Sequence, residues 1–172
     1  MAACSPTFNW RVVRPDNSAL SLLLPCKPDQ AQKVVPLGGQ PTTMSMLGCD
    51  AGGITFAVAM ANLADETQVA SVLSQWQALT LLNMKAPPLV SESAASPSAS
   101  VATQAGQIKV PGASLAPPPL WVQAQGQRAD GSAVQGRAAY FSKGSQVFQV
   151  VMYAPKLAPQ AIETFFSSLK LD

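Results

Sequence analysis

Tight-turn dipeptides in the second half of the chain constrain the fold more than any other feature of the sequence. Asp130-Gly131 and Lys143-Gly144 are typical of two-residue hairpin turns, because glycine readily adopts the positive φ that these turns require. They separate three strand-like segments, namely 120–127, 132–141 and 146–153. A hairpin joins antiparallel strands. The sequence therefore excludes a doubly wound parallel sheet and predicts an antiparallel meander of the α+β class.

The first half of the chain has a similar pattern with shorter strands. Gly38-Gly39 and Gly52-Gly53 are turn signals between them. The predicted strands are 8–13, 19–24, 33–37, 42–49 and 54–62. In the last of these, large residues at 54, 56, 58 and 60 alternate with Thr55, Ala57, Ala59 and Ala61. One face of this strand is bulky, and the other face lets something pack closely against it.

Two segments have the spacing of amphipathic helices. The first is predicted to begin after Asp65, an N-cap with Gln68 in the capping-box position, and to continue to about Lys85. Its predicted apolar stripe is Val69, Val72, Leu73, Trp76, Leu79 and Leu82 or Asn83. The second helix begins at Pro159, and its predicted stripe is Ile162, Phe165, Phe166 and Leu169.

A stretch rich in Ser, Ala and Pro, residues 87–119, lacks any such periodicity. We expect a flexible insertion there, the alternatives being a lid or a binding loop. The predicted organisation is an N-terminal anchor segment and edge strand, 1–16, followed by a single α+β domain, 17–172, which carries the insertion.

The cysteines indicate a cellular compartment. Ala2-Ala3-Cys4 resembles the end of a bacterial lipobox, with Met1 where leucine is usual, and Ser5 is compatible with sorting to the outer membrane. We expect Cys4 to carry a lipid, the alternative being an incidental cysteine in a frayed terminus.

Cys26 and Cys49 follow predicted strands and make an even pair. A disulfide between them would require an oxidising compartment such as the periplasm, whereas the alternative is two buried free thiols.

The charge balance and the absence of histidine exclude many functions. The chain has 11 basic and 9 acidic residues, a net charge of +2 and no His. It therefore lacks Ser-His-Asp and Cys-His catalysis and the usual imidazole metal ligands, and it has no electrostatic footprint for nucleic acid. We expect a protein that is not an enzyme and has no metal or cofactor. A hydrolase with a pair of catalytic carboxylates ranks third among the functional hypotheses. The sequence does not indicate an oligomeric state.

If both turns are two-residue hairpins, their register defines a mixed aromatic and glutamine face. Its candidate binding residues are Trp121, Gln123, Gln125, Tyr140 and Gln149, together with the smaller or apolar Val134, Gly136, Ala138, Val147, Val151 and Tyr153. The opposite, core face would hold Leu120, Val122, Ala124, Ala139, Phe141, Phe148, Val150 and Met152. The mixed aromatic and glutamine face either binds a partner through its aromatic residues or is covered by a helix or by the N-terminal strand.

The lipobox-like start, the Leu-rich strand at 21–25, the meander and the closing Phe165-Phe166 helix together resemble the PsbP-like α/β/α sandwich. That fold includes DcrB-like bacterial lipoproteins and a Ran-binding nuclear transport factor. The chain is also similar to uncharacterised envelope lipoproteins of β-proteobacteria, most distinctively at 48–53. The resemblance implies a binding or assembly module and no particular chemistry.

The leading hypothesis is thus a non-enzymatic periplasmic lipoprotein domain, anchored to the outer membrane through Cys4. It would bind an envelope component, such as a protein, through the Trp121 and Tyr140 face or through 87–119. The second hypothesis is a carrier that holds a small hydrophobic ligand between sheet and helix.

Overall fold

The computed structural model describes residues 7–85 and 103–172. Within these ranges the strands are β1 (Arg11–Val13), β2 (Leu20–Leu24), β3 (Asp29–Leu37), β4 (Gln40–Ala51), β5 (Ile54–Asn62), β6 (Thr103–Gln107), β7 (Leu120–Gln127), β8 (Ala133–Lys143), β9 (Gln146–Ala154) and β10 (Lys170–Leu171). The α-helices are α1 (Val69–Asn83), which follows a 3₁₀ turn at Glu66–Gln68, and α2 (Pro159–Ser167). Neither helix is long and apolar enough to cross a membrane.

The strands form a large and a small sheet. The large sheet has seven strands in the order β3-β4-β5-β9-β8-β7-β6, and the small sheet has the order β1-β2-β10. Every neighbouring pair is antiparallel. The predicted α+β class, with antiparallel strands and two helices, is confirmed.

Separate apolar cores occupy the two faces of the large sheet. On one face, Phe56, Phe141 and Phe148 pack with Leu22 of the small sheet and Phe165 of α2. On the other face, the core contains Trp76, Val72 and Leu73 of α1 and the strand residues Val122, Tyr140 and Val147. The order of layers is therefore α1, large sheet, then α2 with the small sheet.

The connection between β7 and β8 corrects the predicted register. Gln127 pairs with Ala133, so residues 128–132 form the loop, and the Arg128 amide donates to the Ser132 carbonyl at 2.8 Å. This odd-numbered loop replaces the two-residue turn expected at Asp130-Gly131. Because side chains alternate along a strand, the change moves every β7 side chain to the opposite face.

The turn between β8 and β9 lies one residue later than predicted. Lys143 pairs with Gln146, so the turn residues are Gly144 and Ser145, and Gly144 has a φ of 58°. The pairing shifts by one residue on each strand, an even total shift, so each side chain stays on its predicted face. The face assignments of β8 and β9 are therefore correct.

Part of the predicted insertion belongs to the folded body. Residues 103–107 form the edge strand β6, Val110 is buried in the core beside α2, and the Ser114 amide donates to the Ser142 carbonyl at 2.7 Å. The flexible insertion expected over 87–119 is therefore wrong for 103–119. Residues 87–102 lie outside the described part of the chain, as does Cys4.

Asp65 caps the 3₁₀ turn that leads into helix α1, as predicted, but Gln68 does not complete a capping box and the buried stripe differs from the predicted one. Asp65 Oδ1 accepts hydrogen bonds from the Thr67 amide at 2.9 Å and from its hydroxyl at 2.6 Å, and Gln68 makes no capping bond through its side chain. Leu79 and Leu82 are 44% and 71% exposed. The buried residues at the C-terminal end of α1 are Leu81 and Met84.

Cys26 and Cys49 form the predicted disulfide, with a Cα–Cα distance of 6.0 Å. Cys26 follows β2 of the small sheet, and Cys49 belongs to β4 of the large sheet. The bond therefore joins the two sheets covalently.

Candidate functional site

An apolar groove of about 490 Å³ lies beside α1, on the face of the large sheet that this helix partly covers. The helix contacts β7, β8 and β9, which form one half of the sheet. The same face of β3, β4 and β5 extends past the helix, and the described residues leave it open.

The groove exists because β5 carries alanines on this face. Ala57 and Ala59 line it and are half-buried, whereas Phe56 and Val58 point into the opposite core and are 0% and 1% exposed. The alternation in the sequence predicted a face against which something packs closely. In the structure, α1 occupies only part of that space.

Apolar side chains form most of the walls of the groove. They come from β3, β4, α1 and β9, and include Val35, Met44, Met46, Trp76, Leu79 and Val151. Among the described residues that line the groove, none is charged. An apolar lining with few polar groups is the usual composition of a small-molecule site.

A polar cluster lies where α1 meets β9. The Gln149 side-chain nitrogen Nε2 donates to Thr80 Oγ1 at 2.7 Å and lies 3.4 Å from the Tyr140 hydroxyl oxygen. The Thr80 hydroxyl donates to the Trp76 carbonyl at 2.9 Å. Gln149 and Thr80 line the groove, so the cluster supplies a polar wall.

Two tyrosines near this wall stay protonated over the physiological pH range. Burial raises the pKa of Tyr140, and burial also raises the pKa of Tyr153, which lines the groove. Both phenols are therefore neutral hydrogen-bonding groups.

The predicted binding face is divided between the two sides of the sheet. Tyr140 and Gln149 lie on the α1 side, but Tyr140 is only 2% exposed and cannot anchor a partner. Trp121, Gln123 and Gln125 lie on the opposite side because of the β7 register. Only Gln149 of these predicted binding residues lines the groove.

Trp121 and Gln123 instead belong to a cluster around Arg137. The Arg137 guanidinium carbon lies 4.1 Å from the centre of the Trp121 ring and 5.7 Å from that of Phe166 in α2. Its Nη1 donates to Gln123 Oε1 at 2.9 Å, while its buried Nε has no hydrogen-bond partner among the described residues. Burial lowers the pKa of Arg137. The sequence reasoning missed this residue, although the correct register would have placed it opposite Gln123.

Two acidic side chains among the described residues accept hydrogen bonds in a helix cap and in a turn. Hydrogen bonds from Thr67 lower the pKa of Asp65, and hydrogen bonds from Ser132 lower that of Asp130. No group of three or more His, Cys, Asp or Glu residues within 7–85 and 103–172 is arranged to hold a metal ion.

No family model matches the chain, and no curated protein matches it. The solved structures include a similar chain from Pseudomonas aeruginosa, described as a protein of unknown function and a candidate regulator. It is 14% identical, the alignment covers 89% of this chain and 85% of that one, and the TM-score is 0.36. A likeness at this level bears on neither the fold nor the function.

Proposed function

We propose that this chain is a non-enzymatic binding module of the bacterial envelope, and that the groove beside α1 holds a small hydrophobic ligand. The observation that carries the proposal is an open, uncharged apolar groove on a sheet face that the helix covers only in part. Closing such a surface with an apolar molecule removes it from water, which is favourable in proportion to the area covered.

The groove supports a ligand carrier better than the protein-binding face expected from the sequence. That face required Trp121 and Tyr140 on one exposed surface, but they lie on opposite sides of the sheet and Tyr140 is buried. The groove volume of about 490 Å³ is within the usual range for small-molecule sites.

The proposal includes a cellular location. The disulfide between Cys26 and Cys49 is typical of proteins from oxidising compartments and supports the periplasm. A lipid on Cys4 would hold the domain at the outer membrane, near a supply of hydrophobic ligands. The order of layers is compatible with a PsbP-like sandwich, a fold used for binding. Intact mass of the protein isolated from its host tests the anchor, because an unmodified Cys4 contradicts it.

Filling the groove should abolish ligand binding without unfolding the protein. Leucine at position 59 would occupy the groove floor, where Ala59 is half-buried. We expect wild-type protein to bind the uncharged probe N-phenyl-1-naphthylamine saturably, and Ala59→Leu to bind it at least about tenfold more weakly. The measurement is a fluorescence titration at equilibrium, with thermal unfolding recorded for each variant.

The matched control is Ala105→Leu. Ala105 lies on the same face of the sheet, at the opposite edge, where it pairs with Val122 and is exposed. This variant should bind the probe like wild type. The proposal fails if wild-type protein shows no saturable binding, or if folded Ala59→Leu retains wild-type affinity.

A further inference from the structure

The polar wall of the groove has a fixed hydrogen-bond direction. The Thr80 hydroxyl proton is committed to the Trp76 carbonyl inside α1, at 2.9 Å. Thr80 Oγ1 can therefore only accept from Gln149, at 2.7 Å, which turns the amide nitrogen of Gln149 toward the helix. The carbonyl oxygen Oε1 of Gln149 then accepts no hydrogen bond from the described residues.

A hydrogen-bond donor lines the same groove. The Tyr153 hydroxyl makes no hydrogen bond to another described residue, and Tyr153 is half-buried on β9. Gln149 and Tyr153 are four residues apart on β9, about 13 Å along the strand, so the acceptor and the donor are available to a ligand at two places in the groove. A bound group that satisfies either of them avoids the cost of covering a polar atom without a partner.

The described lining of the groove includes no charged group that could balance an ion. None of the described lining residues is charged, and Lys33, which pairs with Met44 on this face of β3, is exposed and is not among the residues that line the groove. Transferring an unpaired carboxylate or ammonium group into such a site costs far more than transferring a hydroxyl.

We infer that the ligand is an uncharged amphiphile, with an apolar tail and a hydroxyl-type head that donates a hydrogen bond to Gln149 Oε1. This inference rests on the proposed function of the groove and deepens it. The apolar tail of the ligand would lie over Ala57 and Ala59, and its head would reach the polar wall at Gln149.

A series of ligands with one chain length and different heads tests the inference. Decan-1-ol, decanoate and decyltrimethylammonium are each used to displace N-phenyl-1-naphthylamine from the full chain at pH 8. We expect decan-1-ol to displace the probe at least about tenfold more effectively than either ion. Equal or better displacement by decanoate or by decyltrimethylammonium overturns the inference while leaving the proposed function intact. Failure of the probe itself to bind overturns the proposed function.

A second variant tests the polar wall directly. Gln149→Met keeps the approximate length of the side chain and removes its amide, so decan-1-ol should bind about three- to tenfold more weakly, the usual worth of one hydrogen bond. The loss of decan-1-ol affinity should exceed any change in affinity for the probe by at least about threefold. The control is Gln125→Met, an exposed position on β7 outside the groove, which should change neither affinity. Unchanged decan-1-ol affinity in Gln149→Met contradicts the assigned role of this wall.

Discussion

Trp121 owes its position to a glycine in the neighbouring strand. Gly106 of β6 pairs with Trp121 of β7, and a Cβ atom at position 106 would lie 2.7 Å from the indole nitrogen Nε1. The indole also carries the Arg137 guanidinium on its face, at 4.1 Å from the ring centre. Without a side chain at Gly106, the indole has the room that it needs beside Arg137.

Adding one methyl group at this glycine should destabilise the protein only while the indole is present. We expect Gly106→Ala to lower the free energy of unfolding by about 1–3 kcal/mol, the usual cost of overpacking. In a Trp121→Ala background the same change should be neutral or stabilising by up to about 1 kcal/mol, because alanine restricts the unfolded chain more than glycine does. Urea unfolding of the four proteins gives this double-mutant cycle. An equal loss in both backgrounds would show that the indole is not the cause.

At the scale of residues, the sequence predicted only part of the site. Gln149 was named as a binding residue from the correct β8–β9 parity, and it lines the groove. Trp121, Gln123 and Gln125 were assigned to the wrong face because the length of one loop decides the orientation of all β7 side chains. Turn residues such as Asp130-Gly131 indicate a hairpin but do not determine whether its loop has two residues or more.

At the scale of elements, the start of α1 depends on a single carboxylate. Asp65 accepts two hydrogen bonds from Thr67 at the turn that leads into the helix, and these bonds lower its pKa. A pKa that is lower in the folded state stabilises the fold at pH values above the ordinary aspartate pKa of about 4. The contribution is lost as the pH falls through the lowered value.

Asp65→Ala should therefore lower the melting temperature at pH 7 and have a smaller effect in acid. The difference from wild type should be constant above about pH 5 and should narrow as the pH falls toward 2. Differential scanning calorimetry across this range measures it, with Glu66→Ala as the control that removes an adjacent carboxylate without removing the cap. A difference that does not change with pH would contradict a role for the ionised carboxylate.

The elements themselves were predicted where apolar periodicity is strong. Strand β5 has the predicted bounds, and α2 begins at the predicted proline. Strand β6, with the sequence TQAGQ, was missed because it has no alternation of apolar residues and belongs to the sheet only through its pairing with β7. The buried stripe of α1 shifts from Leu79 to Leu81 because the helix covers β7 to β9 and leaves Leu79 at the groove. The groove could not be predicted, since it depends on how far the helix extends across the sheet.

At the scale of the whole molecule, the disulfide adds a covalent bond between layers that also meet through side-chain packing and through hydrogen bonds, such as that from Gln146 Nε2 to the Asn17 carbonyl at 3.1 Å. Cys26 follows β2, and Cys49 pairs with Phe56 within the large sheet, on the face opposite the groove. The groove walls come from β3, β4, β5, β9 and α1, whose strand pairing does not involve the small sheet. The disulfide should therefore contribute to global stability and leave ligand binding unaffected.

Reduction of the disulfide should lower global stability without changing ligand binding. A bond across a sequence separation of 23 residues restricts the unfolded chain by about 3 kcal/mol, so reduced protein should unfold at a correspondingly lower urea concentration. Under native conditions its affinity for N-phenyl-1-naphthylamine should stay within about twofold of the oxidised value.

The Cys26→Ser/Cys49→Ser protein is the control, because it should match the reduced wild type in stability and show no response to reductant. Equal stability of the oxidised and reduced forms would contradict a stabilising role for the bond. A large loss of probe affinity on reduction, in protein that remains folded, would instead show that the groove depends on the connection between the sheets.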